Sequence, residues 1–307
     1  MHRGLVALAI AGTLAGVGPS IGHAQSPVGG APGAPAAPGA ADGVPASGFY
    51  GGVGVSANLV VPTNQTMFSQ GVSNVFQSGA LVANGAAGGP TNPHPPNAST
   101  ISPSAQLGYF QRLSDSRWLL GSKLTYNYIA ATVTDNFVAV PQGGSFAFVG
   151  GGPITSFTGN VVIRSYQITA DHQFAFVPHV GYTFDRSYLY LGAGPSLTRT
   201  EVKLNNVVGF ADINGGPGTS ITGAPTNYSS SQWLIGATLA AGATYFLTPS
   251  WFIDFGYAFT ITDLWNTAYA SPFTNTASGF TTVGTLSGSY TGSLNTHALT
   301  VSINRRF

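Results

Sequence analysis

The sequence has no cysteine and very little charge. The absence of cysteine from all 307 residues excludes a disulfide scaffold, a cysteine-ligated zinc site and lipoprotein acylation. Charged residues make up 6% of the chain, against roughly 25% in soluble domains. The net charge is +1 and falls to zero if a segment containing Arg3 is removed. We therefore expect no nucleic-acid surface.

Long apolar runs are also missing. Beyond the N-terminal segment, no stretch reaches the ~20 apolar residues that a membrane-spanning helix needs. A sequence with few charges and no membrane-spanning helix is typical of a transmembrane β-barrel. The strands of such a barrel alternate between lipid-facing and lumen-facing residues, so no long apolar run is needed.

The N-terminal segment predicts export from the cytoplasm. Arg3 precedes an apolar core at residues 5–17, and Gly22 and Ala24 supply small residues for cleavage. This core is too short to cross a bilayer, so a membrane anchor is not expected. We predict a signal peptide at residues 1–24. Residues 25–47 are rich in glycine, alanine and proline and predict a disordered periplasmic linker.

Alternating apolar and polar residues fill the remainder, residues 48–307. Eight segments show a period of two, which is the period of a strand between two different solvents. They are residues 49–61, 104–113, 118–131, 166–184, 187–203, 232–247, 251–264 and 293–307. In the last one Leu299, Val301 and Ile303 alternate with polar residues, and Phe307 ends it.

Short and long connections alternate between these segments. Residues 114–117, 185–186 and 248–250 are tight turns. The long connections are residues 62–101, 132–165, 205–231 and 265–292. This asymmetry is typical of barrels with brief periplasmic turns and long external loops. An even strand number would leave both termini in the periplasm.

The tight turns predict registers that can be checked. Paired residues of antiparallel strands share a face of the sheet. The turns oppose Leu113 to Trp118, Phe184 to Ser187 and Phe246 to Phe252, and each pair falls on one face. Aromatic residues near the segment ends, among them Trp118, Tyr188, Trp233 and Trp265, predict two girdles at the membrane interfaces.

This pattern, with its terminal phenylalanine, resembles the bacterial outer-membrane β-barrel family. The resemblance covers residues 49–307 and is to eight-stranded barrels of the OmpA-like, OmpX-like or opacity-protein type. It implies an all-β, antiparallel up-and-down transmembrane barrel. It also implies contact with outer-membrane lipid and lipopolysaccharide, and an encounter with periplasmic chaperones and the barrel-assembly machinery, which would read Leu299, Val301, Ile303 and Phe307. We expect a monomer. Arg305 departs from the apolar pattern, near the strand end.

Charged residues on the inward face are expected to fill the lumen. Eight strands enclose a space just wide enough for side chains, and charges confined there need partners. Asp254 is expected to pair with Lys123 or, failing that, with Arg306. The set acts as a polar plug or, alternatively, as an ion gate. Its members are Arg112, Lys123, Asp171, Asp254 and Arg306.

Enzyme chemistry finds little support. The best cluster is His172 near Arg199 and Glu201, which would face outward at the outer rim. Such residues more often meet headgroups or water, so we expect no enzyme, and we expect no metal site and no cofactor. The external segments 62–101 and 265–292 contain no charged residue.

The function expected from these features is structural, with a surface-interaction role. Loops of this kind can hydrogen-bond a glycan, a phage or a host surface. A narrow channel is the alternative, and a lipid A-modifying enzyme is a third possibility.

Overall fold

The computed structural model describes residues 43–114, 116–213 and 218–307. The expected signal peptide and the linker up to residue 42 lie outside the described residues. No helix in the described part of the chain is long and apolar enough to cross a membrane. The regular elements are β1 Ser47–Gln77, β2 Ala80–Thr91, β3 Ala98–Arg112, β4 Trp118–Phe148, β5 Thr155–Thr183, β6 Ser187–Asp212, β7 Thr219–Ser220, β8 Thr226–Phe246, β9 Trp251–Thr262, β10 Trp265–Ala277 and β11 Phe280–Arg306.

Eight of these strands pair into a closed ring. The antiparallel ladders run β1–β3–β4–β5–β6–β8–β9–β11 and return from β11 to β1. The β11–β1 ladder closes the ring by pairing Tyr50 with Arg306 and Val55 with Val301. Closure removes the unpaired edges that an open sheet would expose. The predicted eight-stranded up-and-down barrel is confirmed.

The expected orientation of the two strand faces holds in this ring. Leu120, Phe255 and Val301 each expose about half of their surface, whereas Asp254 is 5% exposed and Ser302 is 3% exposed. Apolar groups therefore face outward and polar groups fill the interior, which is the arrangement of a barrel surrounded by lipid. The registers predicted at the three tight turns are all present.

The long connections differ from the expectation of irregular loops. Their residues continue the strands, so that β1 and β4 reach 31 residues each. Hairpins β1–β2 and β10–β11 turn at Gly79 and Gly279, whose positive φ angles favour glycine. Together these elements form an extension of the barrel on the external side, which we call the outer extension.

Bulges mark the boundary between the barrel and the outer extension. Asn64 and Asn206 have positive φ angles at two of the register shifts. A bulge adds one residue to one strand. Beyond the bulge, the residues that would have faced outward can therefore face inward, and the reverse. On β5 the shift lies between Ala170 and Gln173. Ile168, expected on the lipid face, is consequently buried inside at 1% exposure.

The interior of the outer extension is apolar. Its core includes Val140, Ile163, Leu204 and Leu286, all nearly inaccessible to solvent. Trp265, expected in the outer aromatic girdle, belongs to this core and is 1% exposed. The prediction for Trp265 is therefore wrong, because strand β10 turns its side chain inward at the boundary.

A seam runs down one side of the outer extension. The β8–β9 ladder ends at Gly236 and Thr262, and no ladder joins the described residues of β8 to β10 above that point. Side chains hold this seam: the rings of Tyr228 and Tyr269 lie 4.6 Å apart, and the Asn275 amide donates to the Ser220 carbonyl at 2.8 Å.

Candidate functional site

The lumen holds a buried ion pair near its periplasmic third. Lys123 on β4 and Asp254 on β9 both point inward, and the ammonium Nζ lies 3.5 Å from the Asp254 carboxylate. Lys123 also donates to the Tyr190 hydroxyl at 2.6 Å. The sequence anticipated this pair. Its role as a plug rather than a gate stays a prediction.

Neutral donors complete the environment of Asp254. The Thr244 hydroxyl donates to Oδ1 at 2.9 Å, the Tyr190 hydroxyl donates to Oδ2 at 3.2 Å, and the Gln106 amide donates to Oδ2 at 3.4 Å. Gln106 further donates to Asn304 at 2.8 Å. A buried carboxylate needs such partners, because its desolvation is costly. The network therefore fixes side chains from β3, β4, β6, β8, β9 and β11 across the lumen.

An aromatic cluster closes the lumen below this network. The rings of Tyr50 and Phe252 lie 5.2 Å apart, and those of Phe246 and Phe252 lie 4.9 Å apart. Phe110 and Tyr188 join them at 6.0 Å from each other. The cluster fills the periplasmic end of the described lumen with buried side chains. Tyr188, expected in the periplasmic girdle, is 2% exposed and belongs to this cluster.

This cluster was not predicted, although the sequence contains a signal for it. The aromatic residues stand on the otherwise polar face. All but Tyr50, which lies near the start of β1, are within a few residues of the tight turns. Glycines on neighbouring strands make the room: a Cβ at Gly108 would overlap the Tyr50 ring, and one at Gly242 would overlap the Tyr190 hydroxyl.

Part of the predicted linker also lies at this end. Val44 is 4% exposed and packs with the aromatic cluster. Its amide donates to the Asp185 carbonyl at 3.1 Å, and the Ala46 carbonyl accepts from the Arg112 amide at 2.7 Å. The disorder expected up to residue 47 therefore does not extend over residues 43–46, which are held against the periplasmic turns.

The other three predicted lumen residues lie elsewhere. Arg112 is exposed at the end of β3. Arg306 is at the periplasmic rim, where its guanidinium donates to the carbonyls of Pro249 at 2.8 Å and Ser47 at 3.1 Å. Asp171 lies in the β5 bulge and is half-buried. The structure thus brings Lys123 and Asp254 together and leaves the remaining three outside their network.

Layers of small polar side chains fill the lumen above the ion pair. The Gln173 amide donates to Thr296 at 2.9 Å and to Thr198 at 3.1 Å, and the hydroxyls of Thr238 and Thr260 lie 2.6 Å apart. The cavity between these layers measures about 60 Å³, which holds a few water molecules at most. The lumen is therefore a packed polar core.

His172 and Glu201, which were expected to form one cluster, contact different residues. His172 Nδ1 lies 2.9 Å from the Tyr126 hydroxyl, and its ring stacks on Trp233. Glu201 instead pairs with Lys203 at 2.9 Å and accepts from Ser229 at 3.2 Å. A nucleophile, a base and an orienting acid would need to form one chain of hydrogen bonds, and these contacts do not form it.

The predicted assembly signal lies on the lipid-facing side of β11. Leu299, Val301 and Ile303 are 60%, 45% and 48% exposed, and Phe307 is 76% exposed at the rim. Arg305 lies between the rings of Trp251 and Phe307, at 5.8 Å from each centroid. Recognition of these residues by the assembly machinery stays a prediction.

Comparison with known proteins finds only distant structural similarity. No family model and no curated protein matches the sequence. The outer membrane protein OprG from Pseudomonas aeruginosa is 10% identical with a TM-score of 0.34, over 87% of this chain and 98% of that chain. Ail, the attachment invasion locus protein of Yersinia pestis, solved with the heparin analogue sucrose octasulfate, is 10% identical with a TM-score of 0.27, over 83% and 99%. The outer membrane protease OmpT from Escherichia coli is 10% identical with a TM-score of 0.29, over 83% and 97%. The fold of this chain rests on its own strand ladders, and these similarities are too distant to assign a family or a role.

Proposed function

We propose that this eight-stranded barrel of the bacterial outer membrane acts at the cell surface, through its outer extension. A strand needs about 9–11 residues to cross the hydrocarbon layer. β1 and β4 have 31 residues each, so most of their length projects beyond it. The projecting part is a rigid sheet with its own apolar core, which is suited to present a fixed surface to a partner.

The charge of the outer extension indicates the kind of partner. The segments 62–101, 132–165, 205–231 and 265–292 contain three residues of the types Asp, Glu, Lys and Arg, which are Asp135, Arg164 and Asp212. Their outward positions are rich in Thr, Ser and Asn with single apolar residues such as Phe68, Val72 and Val283, which are 42%, 49% and 40% exposed. Such a surface cannot attract a charged ligand over long range. It suits a neutral glycan or an uncharged patch on a host or phage surface. This scarcity of charge in the outer extension is the observation that carries the proposal.

Adhesion of cells that display the protein tests it. Glutamate at Phe68, Val72 and Val283 should weaken retention on neutral glycans or host cells several-fold, because a charge without a partner is desolvated on contact. The matched control places threonine at the same positions. The wild type should show little dependence on salt, since salt screens charge–charge attraction only. Salt-sensitive binding to sucrose octasulfate, or equal adhesion of all three proteins, would contradict the proposal.

The channel alternative is tested by conductance in planar bilayers. The Lys123–Asp254 network and the aromatic cluster fill the lumen, so we expect no stable openings. The enzyme alternative is tested by the mass of lipid A from cells expressing the protein. We expect no mass shift, and a shift that disappears in His172→Ala would establish that activity.

A further inference from the structure

The outer extension ends in an open apolar cup. The cup has a volume of about 540 Å³ and is bounded by β1, β2, β4, β5, β6, β7, β10 and β11. This volume is in the range of small-molecule sites in proteins. Phe146, Phe157 and Phe273 form its wall, and Val161 and Leu286 lie at its floor. The cup is separate from the polar lumen, because the apolar core of the extension lies between them.

The lining of the cup carries no charge among the residues that the structure describes. No Asp, Glu, Lys, Arg or His borders it. The charged residue next to the lining is Asp212, which lies between Ala211 and Ile213. An anionic group in the cup would lose its hydration and meet no cation, so an anion is disfavoured.

Several of the polar groups in the lining have partners within the protein. The Gln142 amide donates to the Ser69 carbonyl at 3.2 Å, and the Asn275 amide donates to the Ser220 carbonyl at 2.8 Å. The Thr222 hydroxyl accepts from the Gly209 amide at 2.9 Å. A ligand would therefore gain mainly from apolar contact with the phenylalanine and aliphatic side chains.

We propose that this cup is a binding site for a neutral, largely apolar small molecule, such as a long-chain alcohol or ester. The site is distinct from the outward glycan-binding surface proposed above, and either can exist without the other. Binding strength increases with the apolar area that the ligand buries, by ~0.8 kcal/mol per methylene group, which is about a fourfold gain in affinity for each added methylene.

Gly71 offers a direct way to fill the cup. It lies in the lining opposite Leu286, and a Cβ there would meet nothing within 4 Å. Its φ angle is not positive, so Gly71→Phe should place a ring in the cup without backbone strain. Gly143 is the matched control: it also has open space for a Cβ, but it is exposed and outside the lining.

Equilibrium dialysis of radiolabelled decanol against the protein in lipid nanodiscs gives the test. Subtracting the signal of protein-free discs of the same lipid removes partition into the disc. We expect saturable binding of one decanol per barrel, weaker binding of decanoate at neutral pH, and a loss of at least about tenfold in Gly71→Phe, or ~1.4 kcal/mol. Gly143→Phe should bind as the wild type does.

Folding is checked by the different gel migration of boiled and unboiled samples. If Gly71→Phe does not fold, Ser73→Asp replaces it, because Ser73 also lines the cup and the new carboxylate should weaken decanol binding by a similar factor. Non-saturable uptake by the wild type, unchanged binding in the folded cup variant, or equal affinity for decanol and decanoate would overturn the proposal.

Discussion

The barrel and its outer extension use the same strands with opposite interiors. In the barrel the outward side chains are apolar, as at Leu124 and Phe255, and the inward ones are polar, as at Lys123 and Asp254. In the outer extension the inward side chains are apolar, as at Leu204, and the outward surface is largely neutral and polar. Lipid surrounds the first region and water the second, so each interior complements its solvent.

Hydrogen-bonded ladders cross this boundary without interruption. The β4–β5 and β5–β6 ladders continue through it, each with one register shift, between Tyr128 and Ala131 in the first and between Ala170 and Gln173 in the second. Backbone pairing is thus independent of which side chains face inward. The difference between the two regions lies in the side chains, and the predictions below alter side chains on either side of the boundary.

The largest effect is expected at the buried ion pair. Asp254→Asn leaves the Lys123 ammonium without a countercharge in the lumen, and breaking such a pair costs about 3–5 kcal/mol of unfolding free energy. Urea unfolding in lipid vesicles measures this loss. The double variant Lys123→Met with Asp254→Asn should recover most of it. A single variant as stable as the wild type would show that water reaches the pair.

A smaller effect is expected in the apolar core of the outer extension. Leu204 is fully buried there, and Leu204→Ala leaves a cavity that should cost about 3 kcal/mol. The loss should appear as faster proteolysis of the extension while the barrel stays protected. Val72→Ala, at an exposed position of the same region, should change little. Equal proteolysis of both variants would contradict an apolar core.

Alkaline pH should affect the outer extension more gradually. Burial raises the pKa of Tyr269 to about 12 and raises the pKa of Tyr228 and Tyr290 as well. An unfolded tyrosine ionises near pH 10. The stabilisation is therefore complete below about pH 10 and is lost as the pH rises toward about 12.

Tyrosinate absorbance recorded together with proteolysis measures this loss. In Tyr269→Phe the extension should resist proteolysis to a higher pH, because one ionisation that favours unfolding is removed. Proteolysis that is independent of pH over this range would show that these tyrosines remain buried and protonated after opening, against the expectation.

The sequence was informative where one period of two continues without a bulge. The eight barrel segments, the three tight-turn registers and the Lys123–Asp254 pair followed from alternation and spacing. The strands of the outer extension were not predicted. A bulge can change which residues face inward, and the interior beyond the bulges is apolar instead of polar. Ile168 shows this: it continues the apolar alternation of β5, but the bulge at residues 171–172 turns it inward.

The candidate site was predictable in part for a similar reason. Lys123 and Asp254 are charges on a polar face, and confinement in a narrow lumen requires them to pair. Arg112 and Arg306 share that parity, but they lie where the strands end, so their long side chains reach solvent or backbone carbonyls at the rim. The outer cup depends on eight strands that are spread along the sequence, and no local pattern predicts it.

The most direct test of the central claim, that lipid surrounds one region and water the other, compares one substitution at two outward positions. Leu124 is 46% exposed on the barrel and Val72 is 49% exposed on the extension. Leu124→Arg should cost about 2–4 kcal/mol of folding free energy in lipid vesicles, and Val72→Arg should stay within about 0.5 kcal/mol of the wild type. Equal costs at the two positions would contradict the account.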